Sequence, residues 1–215
     1  MLEFLDDCSH RGGRLVARFR LLRRNRTAAR AGTPKLLVHK AIHKVRRKSV
    51  QEMLEPCATM RCILETLRAN GVTLCLVSNG LGRGYGHDVL EAFDLRRYFS
   101  ACIFREDVSR GKPWPDSILA ALRGTGRELR RTDVIWYVGD QRKDIAAAQA
   151  ASEALGRSIR PIALGARAAL GAVEARLHPS QIMWTPADLE RAVANAFAAD
   201  ETTFSLIDPL PAPLL

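Results

Sequence analysis

The sequence predicts an α/β protein with a doubly wound parallel sheet, and three observations lead there. Short apolar runs alternate with helical patterns from Thr59 onward. Two of those runs stop abruptly in small polar or acidic residues, and turn-forming glycines and prolines interrupt the pattern. In chain order, Thr59 to Asn70 is expected as a helix leading into a strand over Val72 to Val77. A second helix spans His87 to Phe99 after a glycine-rich turn, and Ala101 to Phe104 forms a short strand. Pro113 and Pro115 stiffen the approach to a helix over Asp116 to Gly124. Val134 to Val138, rich in β-branched and aromatic residues, forms a buried strand, followed by an alanine-rich helix from Asp144 to Leu155. Ile159 to Leu164 and Gln181 to Trp184 supply final strands, and a helix runs from Pro186 to about Ala198. Pro209, Pro211 and Pro213 mark an extended tail over 206–215.

Composition sets the outer limits. A chain of 215 residues with 47% apolar content can bury one α/β core and a small appended module. No apolar run approaches the roughly 20 residues that span a bilayer, so no membrane segment is expected. The five cysteines, Cys8, Cys57, Cys62, Cys75 and Cys102, are odd in number and irregular in spacing. They read as free thiols in a reducing, cytoplasmic setting rather than as a disulfide framework or a zinc site.

Candidate chemistry collects at the strand ends. Val134-Ile135-Trp136-Tyr137-Val138 runs into Gly139-Asp140, with Asp144 one helical turn further on. A parallel sheet delivers acid ligands to a cleft in this way. The same residues also suit a plain strand end, with Asp140 capping a helix and Asp144 favoured by the helix dipole in its first turn. A second apolar run stops in Ser78-Asn79-Gly80, which supplies a hydroxyl and an amide. Arg110-Gly111-Lys112-Pro113-Trp114-Pro115-Asp116 places one lysine in a stiff loop.

In this order and spacing, these groups resemble the second, third and fourth motifs of the haloacid dehalogenase-like (HAD) hydrolase superfamily, in its phosphoglycolate phosphatase-like branch. The resemblance covers Met60 to about Ala151 and is strongest over Gly111 to Asp116 and Gly139 to Asp144. It implies that Ser78 and Asn79 hydrogen-bond phosphate oxygens and that Lys112 offsets their charge. It also implies that Asp140 ligates magnesium (Mg2+) with Asp144 beside it, so that Lys112, Ser78 and Asp140 carry the catalysis. The family's first motif, Asp-x-Asp-Gly-Thr, whose first aspartate attacks phosphorus, does not occur in the sequence. The nearest candidate is Leu2-Glu3-Phe4-Leu5-Asp6-Asp7-Cys8, whose adjacent acids would point to opposite faces of an extended chain. A solvated acidic start is the plainer reading of that stretch. Three explanations stay open: a chain that starts downstream of the true first strand, a binding-only relative, or an unusual use of Asp6 and Asp7. Loss of that strand would leave its neighbours with unpaired edges.

Charge is concentrated near the start. Between Cys8 and Gln51 there is no acid, while fourteen of the 33 basic residues lie there, leaving 19 against 23 acids elsewhere. Leu15, Val16, Phe19 and Leu22, then Leu37, Val38, Ala41, Ile42 and Val45, fall near helical spacing on either side of Thr33-Pro34. Two basic amphipathic helices are expected. By analogy with the resembled family, Gly12 to Lys48 would be a shortened cap attracting anionic substrates. A solvated helical pair and a nucleic-acid surface are the alternatives. Phe19 alone interrupts the basic run as an aromatic, so no base-stacking platform supports the nucleic-acid reading. The expected organisation is a basic cap-like segment over 1–55, an α/β core over 56–205 and the proline-rich tail.

Other patterns carry less. Gly80, Gly82, Gly84 and Gly86 do not form a dinucleotide fingerprint and suit a mobile loop with Arg83 in reach of an anionic ligand. The five histidines are scattered, and His39 and His43 share a helical face without a third ligand. Trp114 either lines the cleft entrance or covers core. The expected function is a magnesium-dependent phosphatase acting on a small phosphorylated metabolite. A catalytically silent relative that binds phosphate or protein is the second expectation, and a basic nucleic-acid-associated module the third.

Overall fold

The structure, a computed structural model, describes residues 54–198. The basic helices expected over Gly12 to Lys48, the acids Asp6 and Asp7 and the tail over 206–215 lie outside the described residues. Helix α1 (Ala58–Ala69) leads to strand β1 (Cys75–Val77), and an irregular turn over Gly82–Gly86 precedes α2 (His87–Ala92). After β2 (Ala101–Ile103) come α3 (Asp116–Gly124), β3 (Trp136–Gly139) and α4 (Arg142–Leu155). Strand β4 (Arg160–Leu164), α5 (Ala166–Glu174), β5 (Ile182–Met183) and α6 (Pro186–Ala198) complete the order.

All strand pairs are parallel, as the alternation of strand and helix predicts. Strand β1 pairs with β2 in the register Leu76 to Cys102, and β3, β4 and β5 pair in sequence order, with Val138 opposite Ile162. The single sheet expected from the sequence is divided among the described residues: β1 and β3 are not hydrogen-bonded to each other. Each keeps one edge unpaired among the described residues.

Side chains alternate between the faces of the larger sheet, which is how a strand feeds two layers. Ile162 and Met183 pack with Ile63 of α1 and with Leu189 and Val193 of α6. Ala163 turns the other way, onto Ile145 of α4 and Ala168 and Ala172 of α5. Helix α3 joins the two sheets: it lies against β1 and β2, and its Ile118 packs on Ala147, Ala148 and Ala151 of α4.

The structure departs from expectation elsewhere too: the strand expected to be buried over Val134 to Val138 begins at Trp136, with Val134 and Val138 exposed. The helix expected over His87 to Phe99 ends at Ala92, because Asp94 takes a left-handed conformation (φ 51°) and a separate 3₁₀ turn follows at Arg96–Tyr98. Helix α5 was not expected. Its inward stripe consists of Ala168, Ala169, Gly171 and Ala172, while Leu170 and Val173 are 68% and 67% exposed, which reverses the usual hydrophobic signature. Trp114 is not core cover: it is 49% exposed, with the Arg110 guanidinium 4.7 Å above its ring. Cys57, Cys62, Cys75 and Cys102 are free thiols, as anticipated.

Candidate phosphate site at the strand ends

Strand β1 delivers Ser78 by continuing its ladder one residue past the strand: the Ser78 N–H donates to the Ile103 carbonyl at 2.9 Å. The chain then turns, and Ser78 Oγ accepts the Gly80 N–H at 3.0 Å. That bond uses an acceptor position, so the hydroxyl proton stays available for an incoming oxygen.

Asn79 does something different from the phosphate contact expected of its side chain. Its Nδ2 donates to the Lys112 carbonyl at 3.0 Å, and its Oδ1 accepts the Lys112 N–H at 2.8 Å. The carboxamide pairs with the backbone of Lys112 as one peptide group pairs with another, and it is buried there. Glycine at 111 permits this approach, since a Cβ would stand 2.8 Å from Asn79 Oδ1 and 2.9 Å from Arg105 Cδ. The Gly-Lys-Pro pattern therefore has a local steric cause. Asn79 sets where Lys112 sits.

The lysine side chain is buried and spans the two sheets. Its Nζ lies 2.7 Å from Asp144 Oδ1, at the start of α4, and donates to the Val77 carbonyl at the end of β1 at 3.4 Å. An ammonium has three protons, so one remains beyond these two partners. Asp144 is 1% exposed and occupied on both oxygens: Oδ2 accepts the Gln141 N–H at 2.9 Å, as an acid in a helix's first turn does. Gly139 makes room for it, because a Cβ there would overlap the Asp144 side chain. Burial first, then the charge and hydrogen bond of Asp144 and the charge of Asp140, push the Tyr137 phenol far above its ordinary range. Tyr137 stays protonated and places its hydroxyl 3.5 Å from Asp144 Oδ1.

Asp140 contrasts with all of these: it is exposed at the end of β3. Asn79, Lys112 and Asp144 thus form one bonded group, with Ser78 beside Asn79 in the chain and Asp140 exposed at the end of β3. The plainer reading of the Gly-Asp-x-x-x-Asp stretch holds for Asp144, in the first turn of α4, but not for Asp140, since Gln141 is the N-cap. Asp144 caps the start of its helix while holding Lys112, and Asp140 presents an open carboxylate. Among the described residues no three His, Cys, Asp or Glu side chains gather as a metal cluster.

Sequence reasoning missed two contributors. Arg105, directly after Phe104, is buried, donates to the Val108 carbonyl at 3.2 Å and backs Gly111. Glu106 binds the glycine turn after β1: its carboxylate accepts the Gly82 N–H at 2.9 and 3.0 Å and the Arg83 N–H at 2.9 Å. Neither sits in a motif. An arginine and a glutamate following a strand read as ordinary surface residues.

Helices on both faces of parallel strands, with polar groups gathered at the carboxyl ends, define the class as a doubly wound α/β protein with its site at those ends. Residues 16–153 match the haloacid dehalogenase-like hydrolase family, and the chain belongs to it. Its curated relatives include the phosphoglycolate phosphatase of Escherichia coli strain K12, 39% identical over 88 residues, which are 41% of this chain and 33% of that protein. The Salmonella choleraesuis phosphoglycolate phosphatase is 36% identical over a stretch of the same length. The match thus spans about a third of these relatives, 33% of each. Among solved structures, a HAD-superfamily hydrolase from Ehrlichia chaffeensis superposes with a TM-score of 0.54 at 24% identity, covering 71% of this chain and 63% of that one. A hydrolase from Pseudomonas syringae gives 0.53 at 22% identity, covering 74% and 66%. At these identities the likeness is one of fold.

Proposed function

We propose that this protein is a magnesium-dependent phosphatase acting on a small phosphorylated metabolite, a sugar phosphate or phosphoglycolate. The observation that carries the reading is Lys112, buried between the ends of two strands with one proton uncommitted and the Ser78 hydroxyl at the end of β1. Phosphoryl transfer is mostly positioning and electrostatic stabilisation, and these groups suit both. Ser78 donates a hydrogen bond to a phosphate oxygen, Lys112 donates a second with its charge, and Asn79 keeps the lysine in place.

The charges bear on the metal. Lys112 and Asp144 cancel each other, so Asp140 leaves this trio with one negative charge, a poor host for a phosphate dianion. A divalent cation reverses that sign. Asp140 fits as its carboxylate, since magnesium keeps several waters and takes one or two carboxylates together with phosphate oxygens. Asp144 stands beside it and acts through Lys112. When bound, the ion would neutralise phosphate charge and help to orient the ester.

The sequence has no Asp-x-Asp-Gly-Thr, and this favours a second reading: a relative that binds phosphate without turning it over. Magnesium-dependent release of inorganic phosphate from p-nitrophenyl phosphate separates the two. Release that is lost in Asp140→Asn supports the enzyme, and loss in Asp6→Asn or Asp7→Asn would assign the nucleophile. Phosphate binding with no release under any of these conditions supports the silent relative.

A further inference from the structure

We infer that Glu106 is a positioning residue for the phosphate-binding turn after β1, a role that rests on the phosphate-site reading of Ser78 and Lys112. The turn is glycine-rich, and its backbone is unusual. Arg83 is extended (φ −70°, ψ 124°) within an otherwise helical stretch, and Gly84 is left-handed (φ 76°). A segment with glycines at 80, 82, 84 and 86 has many accessible conformations, so something must select one.

Besides the bond from the Gly86 N–H to the Leu81 carbonyl within the turn, at 2.9 Å, the selecting contacts come from the segment that follows β2. The Arg105 N–H donates to the Gly80 carbonyl at 3.0 Å, and the Glu106 carboxylate accepts the Gly82 and Arg83 N–H groups. The 3₁₀ turn carrying Glu106 (Arg105–Asp107) is itself held, since the Phe104 N–H donates to Asp107 Oδ2 at 2.8 Å. Phe104 is buried beneath the turn, close enough that a Cβ on Gly82 would stand 2.7 Å from its ring. Ring and carboxylate thus grip the same turn. Gly80 lies between the grip and Ser78: its carbonyl is held by Arg105, and its N–H sets Ser78 Oγ. Glu106 holds the chain two and three residues beyond Gly80, so it fixes the far side of the turn whose near side orients the Ser78 hydroxyl. Glu106 donates nothing to a ligand. It acts through the backbone it fixes, and a bond between backbone N–H groups and a carboxylate is among the stronger kinds.

The experiment compares the full-length protein with Glu106→Ala and Glu106→Gln by titrating inorganic phosphate against amide NMR shifts, beside amide exchange and thermal melting. Wild type should respond at Gly80 and protect the Gly82 and Arg83 amides. Glu106→Ala should expose both amides and weaken phosphate binding by about tenfold. Glu106→Gln, which keeps one acceptor oxygen, should fall between. A purely structural Glu106 would lower the melting temperature yet leave phosphate affinity unchanged, and that result overturns the positioning role alone. If Glu106→Ala does not fold, Glu106→Gln decides: unchanged phosphate affinity with exposed Gly82 and Arg83 amides overturns it equally. Absence of any phosphate response in wild type overturns the phosphate-site reading, and with it this role.

Discussion

The turns that follow β1 and β3 both leave the carboxyl end of a parallel strand, yet they are built in opposite ways. After β1, Ser78, Asn79, Gly80, Gly82 and Arg83 are each tied by hydrogen bonds to residues beyond the strand or within the turn. After β3, the fixed part is Asp144, while Asp140 stands exposed. The first turn spends its polar groups on shape; the second keeps one polar group unspent. A ligand that must be both oriented and exchanged is served by such a division: rigid donors on one side, an open anion on the other.

The contrast can be broken where it is strongest. Lys112→Ala leaves the Asp144 carboxylate buried without its cation, and stability to urea should fall by about 3–5 kcal/mol. Asn79→Ala removes two buried hydrogen bonds to the Lys112 backbone, and the same measurement should register a loss of about 2–3 kcal/mol. Gly82→Ala pushes a methyl group toward Phe104 and the His87 ring, and its expected cost is about 1–2 kcal/mol in chemical denaturation. Asp140→Asn sharpens the contrast from the other side. Its unfolding free energy should stay within about 0.5 kcal/mol of wild type while magnesium-dependent phosphate binding, followed by calorimetry, disappears. A large stability loss there would mean that Asp140 is structural and the comparison is misdrawn.

Much of the fold was legible because periodicity and turn chemistry agreed. The alanine-rich α4 and the Asp116–Gly124 helix behind its prolines form within a residue or two of expectation. Helix α5 was not legible, since a stripe of alanines and a glycine facing Arg142 at close range looks neither apolar nor periodic. At the site, strand ends supplied Ser78, Asn79, Lys112 and Asp144 as separate polar groups, and only the family resemblance joined them into one expected site. The division of labour among them could not be read. That Asn79 serves the lysine backbone, and that Asp144 serves its ammonium, depends on distances across the sheet that no local pattern encodes. Glu106 was invisible for the same reason, 24 residues from the Gly82 amide it accepts.

The pairing of Lys112 with Asp144 also bears on how quickly a ligand arrives. Two opposite charges 2.7 Å apart make a short dipole whose field fades within a few ångströms, so the lysine does little to draw an anion from bulk solvent. Long-range attraction then rests on the net charge of the chain, and the sequence concentrates its basic excess in the fourteen cations between Arg11 and Lys48, a stretch without an acid. Encounter and retention would then answer to different parts of the protein. Added salt should slow association far more than it hastens release.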